Sequence, residues 1–149
     1  RGMNPKVTDA FHRTFTGLHR ALFRASKGRV AGSMGGMRVI ELVTTGRRSG
    51  KERATMLTAP IAEHGRYVLV ASFGGDDRNP AWYHNLCANP QVRVTAGGST
   101  SAMTARVASE AEKVELWPRI VAAFRQYDSY QQRTSRPIPV VILEPSTPS

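Results

Sequence analysis

Apolar positions recur at helical spacing from Thr8 to Lys27, where Phe11, Phe15, Leu18 and Leu22 mark one stripe, Thr8 or Asp9 offers an N-cap and Gly28 a stop. The spacing predicts a terminal helix laid on the body of the protein. Arg13, Arg20 and Arg24 intersperse that stripe, which equally suits a basic amphipathic helix touching anionic lipid. Residues 28–36 are glycine-rich and read as a flexible joint, so the expected division is a segment 1–36 followed by a folded unit 37–149.

Beyond the joint the pattern turns strand-like. Met37–Thr45 is rich in β-branched residues, a charged turn occupies 46–52, and Arg53–Ala62 with Arg66–Ser72 reads as a hairpin around His64-Gly65. A loop through Gly74-Gly75-Asp76-Asp77-Arg78 leads to Asn79-Pro80, a helix start with Asn as N-cap, and to a short helix Ala81–Ala88. Strands Gln91–Ala96 and Ser101–Ala108 flank Gly97-Gly98. Ser109 and Glu112 have the form of a capping box for a helix over 110–125, kinked or restarted at Pro118, and Val140–Leu143 is a last strand. About six strands and three helices without long βαβ alternation predict a mainly antiparallel α+β barrel or sheet.

Composition narrows the class. A chain of 149 residues, 40% apolar and 21% charged, can bury one core and is not a disordered segment. Its single cysteine, Cys87, excludes an internal disulfide and reads as a small buried residue, and no Cys or His cluster has metal-ligand spacing. A cytoplasmic setting is therefore expected. There is no run of about 18 apolar residues for a membrane span and no leader pattern, so the basic helix leaves only peripheral contact with the inner face of the plasma membrane.

Charge is placed unevenly. Residues 1–53 hold 12 of the 21 Lys and Arg, against Asp9, Glu41 and Glu52, and so carry +9 of the formal +10. Such asymmetry implies an anionic partner: nucleic acid, a lipid surface, or a ligand bearing phosphates or carboxylates.

Three segments carry candidate chemistry. Gly46-Arg47-Arg48-Ser49-Gly50-Lys51-Glu52-Arg53 packs four cations into a turn between strands; three residues, not four, separate its first glycine from Gly50-Lys51, so it is no P-loop. Glycine amides, a hydroxyl and guanidinium forks nevertheless suit phosphate or carboxylate oxygens, with a merely solvated hairpin as the plainer reading. Ala71-Ser72-Phe73-Gly74-Gly75, with Asn79 through Leu86, joins a strand end to a helix N-terminus where Trp82 or Tyr83 would edge a pocket. Trp117, Phe124, Tyr127 and Tyr130 fall at spacings that put them on one side of a helix, as core or as the wall of a flat ligand.

In this order the segments resemble the deazaflavin-dependent nitroreductase family, actinobacterial reductases that use coenzyme F420 and include quinone reductases. The resemblance covers roughly 37–145 and rests on Thr44-Thr45-Gly46-Arg47-Arg48-Ser49-Gly50, Arg53, Gly65 through Ser72, Gly74-Gly75, Asn79-Pro80-Ala81-Trp82-Tyr83-His84-Asn85-Leu86, Ala88-Asn89-Pro90, Trp117-Pro118, Tyr127, Tyr130 and Ile138 through Val141. It implies a split β-barrel related to FMN-binding pyridoxamine oxidases. The phosphate and oligoglutamate tail of F420 would lie over Arg47, Arg48, Ser49, Gly50 and Arg53. Its deazaflavin ring would rest against Thr55, Met56, Leu57 and Thr58, against Val70, Ala71, Ser72 and Phe73, and against Ala81, Trp82, Tyr83, His84 and Asn85.

Tyr127 and Tyr130 would line the substrate side, with Tyr127 also against the cofactor. Hydride would pass from reduced, diffusible F420 to a quinone, enone or nitro-aromatic, with Ser72, Tyr127, Tyr130 or backbone N–H groups serving the developing oxyanion. Phe124, Phe73 and Thr58 stand where related sequences carry tyrosine, lysine and tyrosine, a departure that bears on acceptor choice. The alternatives are a non-catalytic split barrel holding F420, FMN or haem, and a nucleic-acid or membrane-surface protein. The latter has no reader motif among its cations.

Overall fold

The computed structural model describes residues 17–27, 33–34 and 36–146. Within them, eight strands form one curled antiparallel sheet: β1 (Ser33–Met34), β2 (Met37–Thr45), β3 (Glu52–Ala59), β4 (Ile61–Glu63), β5 (Arg66–Val70), β6 (Gln91–Ala96), β7 (Ser99–Val107) and β8 (Val140–Pro145). The helices are α1 (Gly17–Ser26), α2 (Ala81–Ala88), α3 (Glu110–Ala123) and α4 (Gln126–Arg133), with a 3-10 turn at Phe73–Gly75. The strand order is β1-β2-β6-β7-β8-β5-β4, and β3 pairs with β2.

Pro60 explains the curl. β3 pairs along its whole length with β2, from Arg38 opposite Ala59 to Thr45 opposite Glu52. Proline cannot extend that ladder, so the chain turns and enters β4 at the opposite edge of the sheet. The sheet thereby wraps on itself as a split barrel, with β3 approaching β5. This corrects the expected hairpin of 53–62 with 66–72: only Ile61–Glu63 pairs with β5, around His64 and Gly65, whose φ values of 53° and 73° suit a tight hairpin.

Two apolar layers follow from strand alternation. Leu69, Ala71, Val141 and Leu143 point into the barrel with Ile40, Leu42, Val94 and Met103, closed at one end by Trp82 and Leu86 of α2. Val68, Val70, Val140 and Ile142 point outward and are covered by Ile120, Tyr127 and Tyr130 of α3 and α4. Burial on both faces is why Val140–Leu143 is apolar without alternation.

Several boundaries differ from expectation. The helix expected over 8–27 is seen from Gly17; residues 8–16 lie outside the described residues, and the side chain that faces the body is Phe23, fully buried, whereas Leu22 is 41% exposed. Within the glycine-rich stretch Ser33–Met34 is not a loose joint but pairs with Met37 and Arg38. Cys87 is exposed, not buried. The capping box forms: the Ser109 hydroxyl accepts from the Glu112 amide at 3.2 Å and the Glu112 carboxylate from the Ser109 amide at 3.0 Å. α3 runs through Pro118, which lies on its exposed face where water can take the orphaned carbonyl, and ends at Phe124 in an extended conformation. Tyr127 and Tyr130 therefore sit on a separate helix.

Candidate active site

The turn between β2 and β3 is closed from within. Gly46 N–H donates to the Lys51 carbonyl at 2.7 Å, Gly50 N–H to the Gly46 carbonyl at 2.8 Å, and Lys51 N–H to the Ser49 hydroxyl at 3.1 Å. A Cβ on Gly46 would stand 2.7 Å from Ser49 Oγ and 3.2 Å from the Lys51 carbonyl, so a side chain there would displace the Ser49 hydroxyl from the turn. Arg47 N–H donates to Asn85 Oδ1 at 3.1 Å, and Asn85 Nδ2 donates to Thr44 Oγ1 at 3.2 Å. Asn85 and Thr44 are buried, so this pair ties the turn to α2. The glycine amides are thus consumed in shaping the turn, and among the described residues the N–H groups of Arg48 and Ser49 remain for an anion.

The charges of this turn are uncompensated. Arg47, Arg48, Lys51 and Arg53 are exposed and make no ion pair among the described residues. Glu52, the acid between them, is turned onto the fork of Arg93, which holds its carboxyl below the usual carboxylate range. Strand alternation does this: neighbours in β3 point to opposite faces. The three arginines border a groove of about 460 Å³ lined by Gly46, Arg47, Arg48, Ser49, Arg53, Ala54, Thr55, Ala81, Trp82 and Asn85.

Ahead of α2, β5 runs out into a strained arch. Ser72 is 7% exposed and its hydroxyl has no partner among the described residues. Phe73, Gly74 and Gly75 follow with φ of 45°, 65° and 83°, left-handed values that a bulky residue such as Phe73 avoids. The Arg78 guanidinium lies 5.2 Å from the Phe73 ring centre. Asn79, expected as the cap of α2, makes no capping bond; Pro80 occupies the cap, and Asn79 Oδ1 accepts from Arg136 at 2.8 Å.

Phe124, Tyr127 and Tyr130 pack edge to face, with ring centres 5.2 to 6.3 Å apart. Tyr127 and Tyr130 are each 5% exposed. The Tyr127 hydroxyl meets Thr58 Oγ1 at 3.4 Å and Met37 Sδ at 3.9 Å, and burial pushes its pKa up to about 12.

A model of the F420H(2)-dependent quinone reductase family matches residues 16–145. The chain belongs to that family. It is an F420H2-dependent reductase, and reduced coenzyme F420 is its cofactor. It is 40% identical over 131 residues to an F420H(2)-dependent quinone reductase of Mycobacterium tuberculosis (strain ATCC 25618 / H37Rv), covering 85% of this chain and 87% of that protein. A solved F420-H2 dependent reductase is 41% identical, with a TM-score of 0.65 over 71% of this chain and 93% of that one. A second solved structure, described as a domain-swapped dimer, is 35% identical, with a TM-score of 0.66 over 85% of this chain and 96% of that one.

Against this F420H(2)-dependent quinone reductase family, the sequence-derived residues fall into groups. Arg47, Arg48, Ser49, Arg53, Thr55, Ala81, Trp82 and Asn85 meet at the groove, with Gly50 closing the turn. Met56 is half-buried on β3; Leu57 packs against the barrel core and Thr58 turns to Tyr127. Ala71 belongs to the barrel core and Val70, with Tyr127 and Tyr130, to the outer layer. Ser72 and Phe73 lie in the arch. Of the two adjacent aromatics, Trp82 is buried and lines the groove, whereas Tyr83 is half-buried, its ring 5.8 Å from that of exposed His84. Sequence reasoning missed Arg136, whose guanidinium bonds the arch at several points, and the short Ser135-Arg136-Pro137 stretch carries no periodicity that would have exposed it.

Proposed function

We propose that this chain reduces quinones at the expense of reduced F420, with enones and nitro-aromatics as further acceptors, and that the groove is where the cofactor sits. The observation that carries the reading is the set of guanidinium groups at the Gly46–Arg53 turn, left without ion pairs among the described residues because Glu52 is held by Arg93. A tail of phosphate and carboxylates fits such a donor set, and Trp82 at the groove with the Ser72 hydroxyl, unpartnered among the described residues, fits a polar ring. When bound, reduced F420 supplies a hydride from its deazaflavin C5.

The residues do the rest. Arg47, Arg48 and Arg53, with Ser49 and the Arg48 amide, hold the tail; Asn85 fixes the turn to α2. Trp82 and Thr55 define the groove floor. Ser72 and Tyr127 offer protons for hydrogen bonds to an oxygen gaining charge, and Tyr130 completes the acceptor wall. With its pKa near 12, the Tyr127 phenol stays protonated at neutral pH and acts as a fixed donor. Phe124 and Phe73 make the wall less polar, which favours flat apolar acceptors. The exposed thiol of Cys87 suits a reducing, cytoplasmic setting. Among the described residues no helix is long and apolar enough to cross a membrane, and α1 would make any membrane contact peripheral.

Fluorescence titration with F420 and with FMN tests this, alongside turnover of reduced F420 with a menaquinone analogue, an enone and a nitro-aromatic. The expected result is F420 binding without flavin, quinone turnover, and at least ~10-fold weaker binding in the Arg48→Ala/Arg53→Ala double variant. Undiminished affinity in that variant would reject the groove as the tail site.

A further inference from the structure

We propose that Arg136 is a positioning residue of the hydride-transfer site: its guanidinium clamps the Ala71–Asn79 arch and so sets where Ser72 and Phe73 stand. The proposal rests on the F420 reading above and adds a residue to it. Arg136 Nε donates to the Asp76 carbonyl at 2.9 Å, one terminal nitrogen to Asn79 Oδ1 at 2.8 Å, and the other to the carbonyls of Ser72 at 2.9 Å and Ala71 at 3.3 Å. Two of these acceptors, Ser72 and Asp76, are the residues immediately before and after the left-handed run Phe73–Gly75. The fork therefore pins both ends of the strained turn.

Three further observations separate this clamp from an ordinary surface arginine. Neighbouring carboxylates are engaged elsewhere: Asp76 pairs with Arg78, and Asp77 accepts from the Thr134 hydroxyl at 2.8 Å. The guanidinium thus spends its donors on neutral oxygens of a single segment. Secondly, Arg136 is itself held: its carbonyl accepts from Gln131 Nε2 at 2.8 Å and its amide donates to Thr134 Oγ1 at 3.3 Å, both residues at the end of α4. Thirdly, α4 touches the same arch directly, since a Cβ on Gly75 would lie 3.0 Å from the Tyr130 carbonyl. Arg136 consequently links the helix that carries Tyr127 and Tyr130 to the segment that carries Ser72. A lysine cannot copy this, because one ammonium has neither the planar spread nor the number of fixed donors.

The test uses the full chain as wild type, Arg136→Lys and Arg136→Gln, with thermal melts to establish that each variant folds. Amide hydrogen exchange is read at Gly75 and Asp76, whose N–H groups bond the Ser72 and Phe73 carbonyls. F420 affinity, the absorption band of bound F420, and kcat and KM with a quinone are then measured. The expected outcome is faster exchange at those amides, F420 affinity within about threefold of wild type because the tail contacts remain, a shifted absorption band, and kcat lower by ~10- to 100-fold. Unchanged exchange in both variants would overturn the clamp whatever the cofactor does. Faster exchange with wild-type kcat and absorption band would overturn the positioning role. Failure of wild-type protein to bind F420 would count against the functional reading and with it the positioning role, while exchange alone would still decide the clamp.

Discussion

The Tyr127 phenol shows what burial does to a single residue. Its pKa rises from 10.0 to about 12, chiefly by desolvation, with the Thr58 hydrogen bond acting in the opposite direction. In the unfolded chain the same phenol ionises near 10, so the contribution is fully present below pH 10 and is lost as pH climbs through 12, a decline of roughly 2–3 kcal/mol. Thermal melts at pH 9 and pH 11.5 should show wild type losing more stability than Tyr127→Phe over that interval. An equal loss in both proteins would mean that Tyr127 is not the group titrating. The ring was visible in the sequence as a candidate; its environment was not, because Thr58 and Met37 come from distant strands. Asn85 is similar: the sequence marks its helix, but only the fold shows that its amide joins the Arg47 turn to Thr44.

Among elements, the arch and the Gly46 turn illustrate two uses of glycine. At Gly75 a φ of 83° and the Tyr130 backbone 3.0 Å from a would-be Cβ exclude any side chain. Gly75→Ala should therefore cost ~1–3 kcal/mol in urea denaturation, and it should also weaken packing of α4 on the arch. Retained stability would show that the arch can relax away from α4. The helices themselves were partly legible. The capping box follows from local hydrogen-bond chemistry and the Ala81 start from the fixed φ of Pro80, whereas the break at Phe124 follows from neither, since nothing at Phe124-Arg125 stops a helix; the aromatic trio packs where α3 ends.

At the scale of the whole molecule, net charge and its placement govern encounter with an anionic cofactor. With +10 overall and a cluster at the groove that is unpaired among the described residues, F420 association should be electrostatically steered. Stopped-flow association rates should fall as ionic strength rises from ~10 to ~150 mM, over which the Debye length shrinks from about 30 to 8 Å. The variant with Arg47, Arg48 and Arg53 changed to Gln should lose most of that slope. A slope as steep as wild type would place the steering charge elsewhere, for instance on Arg20 of α1.

What the sequence determined by itself was local: strands where β-branched residues alternate or run together, helix starts where a capping box or a proline is written into neighbours, and a cation-rich turn whose residue types suit phosphate and carboxylate. Those features depend on residues close in the chain. The tertiary structure decided the rest. It brought β3 against β5 once Pro60 had sent the chain to the far edge of the sheet, removed Glu52 from the cation cluster by giving it Arg93, and brought Arg136 onto Ala71 and Ser72 from more than sixty residues away. Each is a contact between segments whose proximity no local pattern encodes, so it could be read only once the sheet had closed.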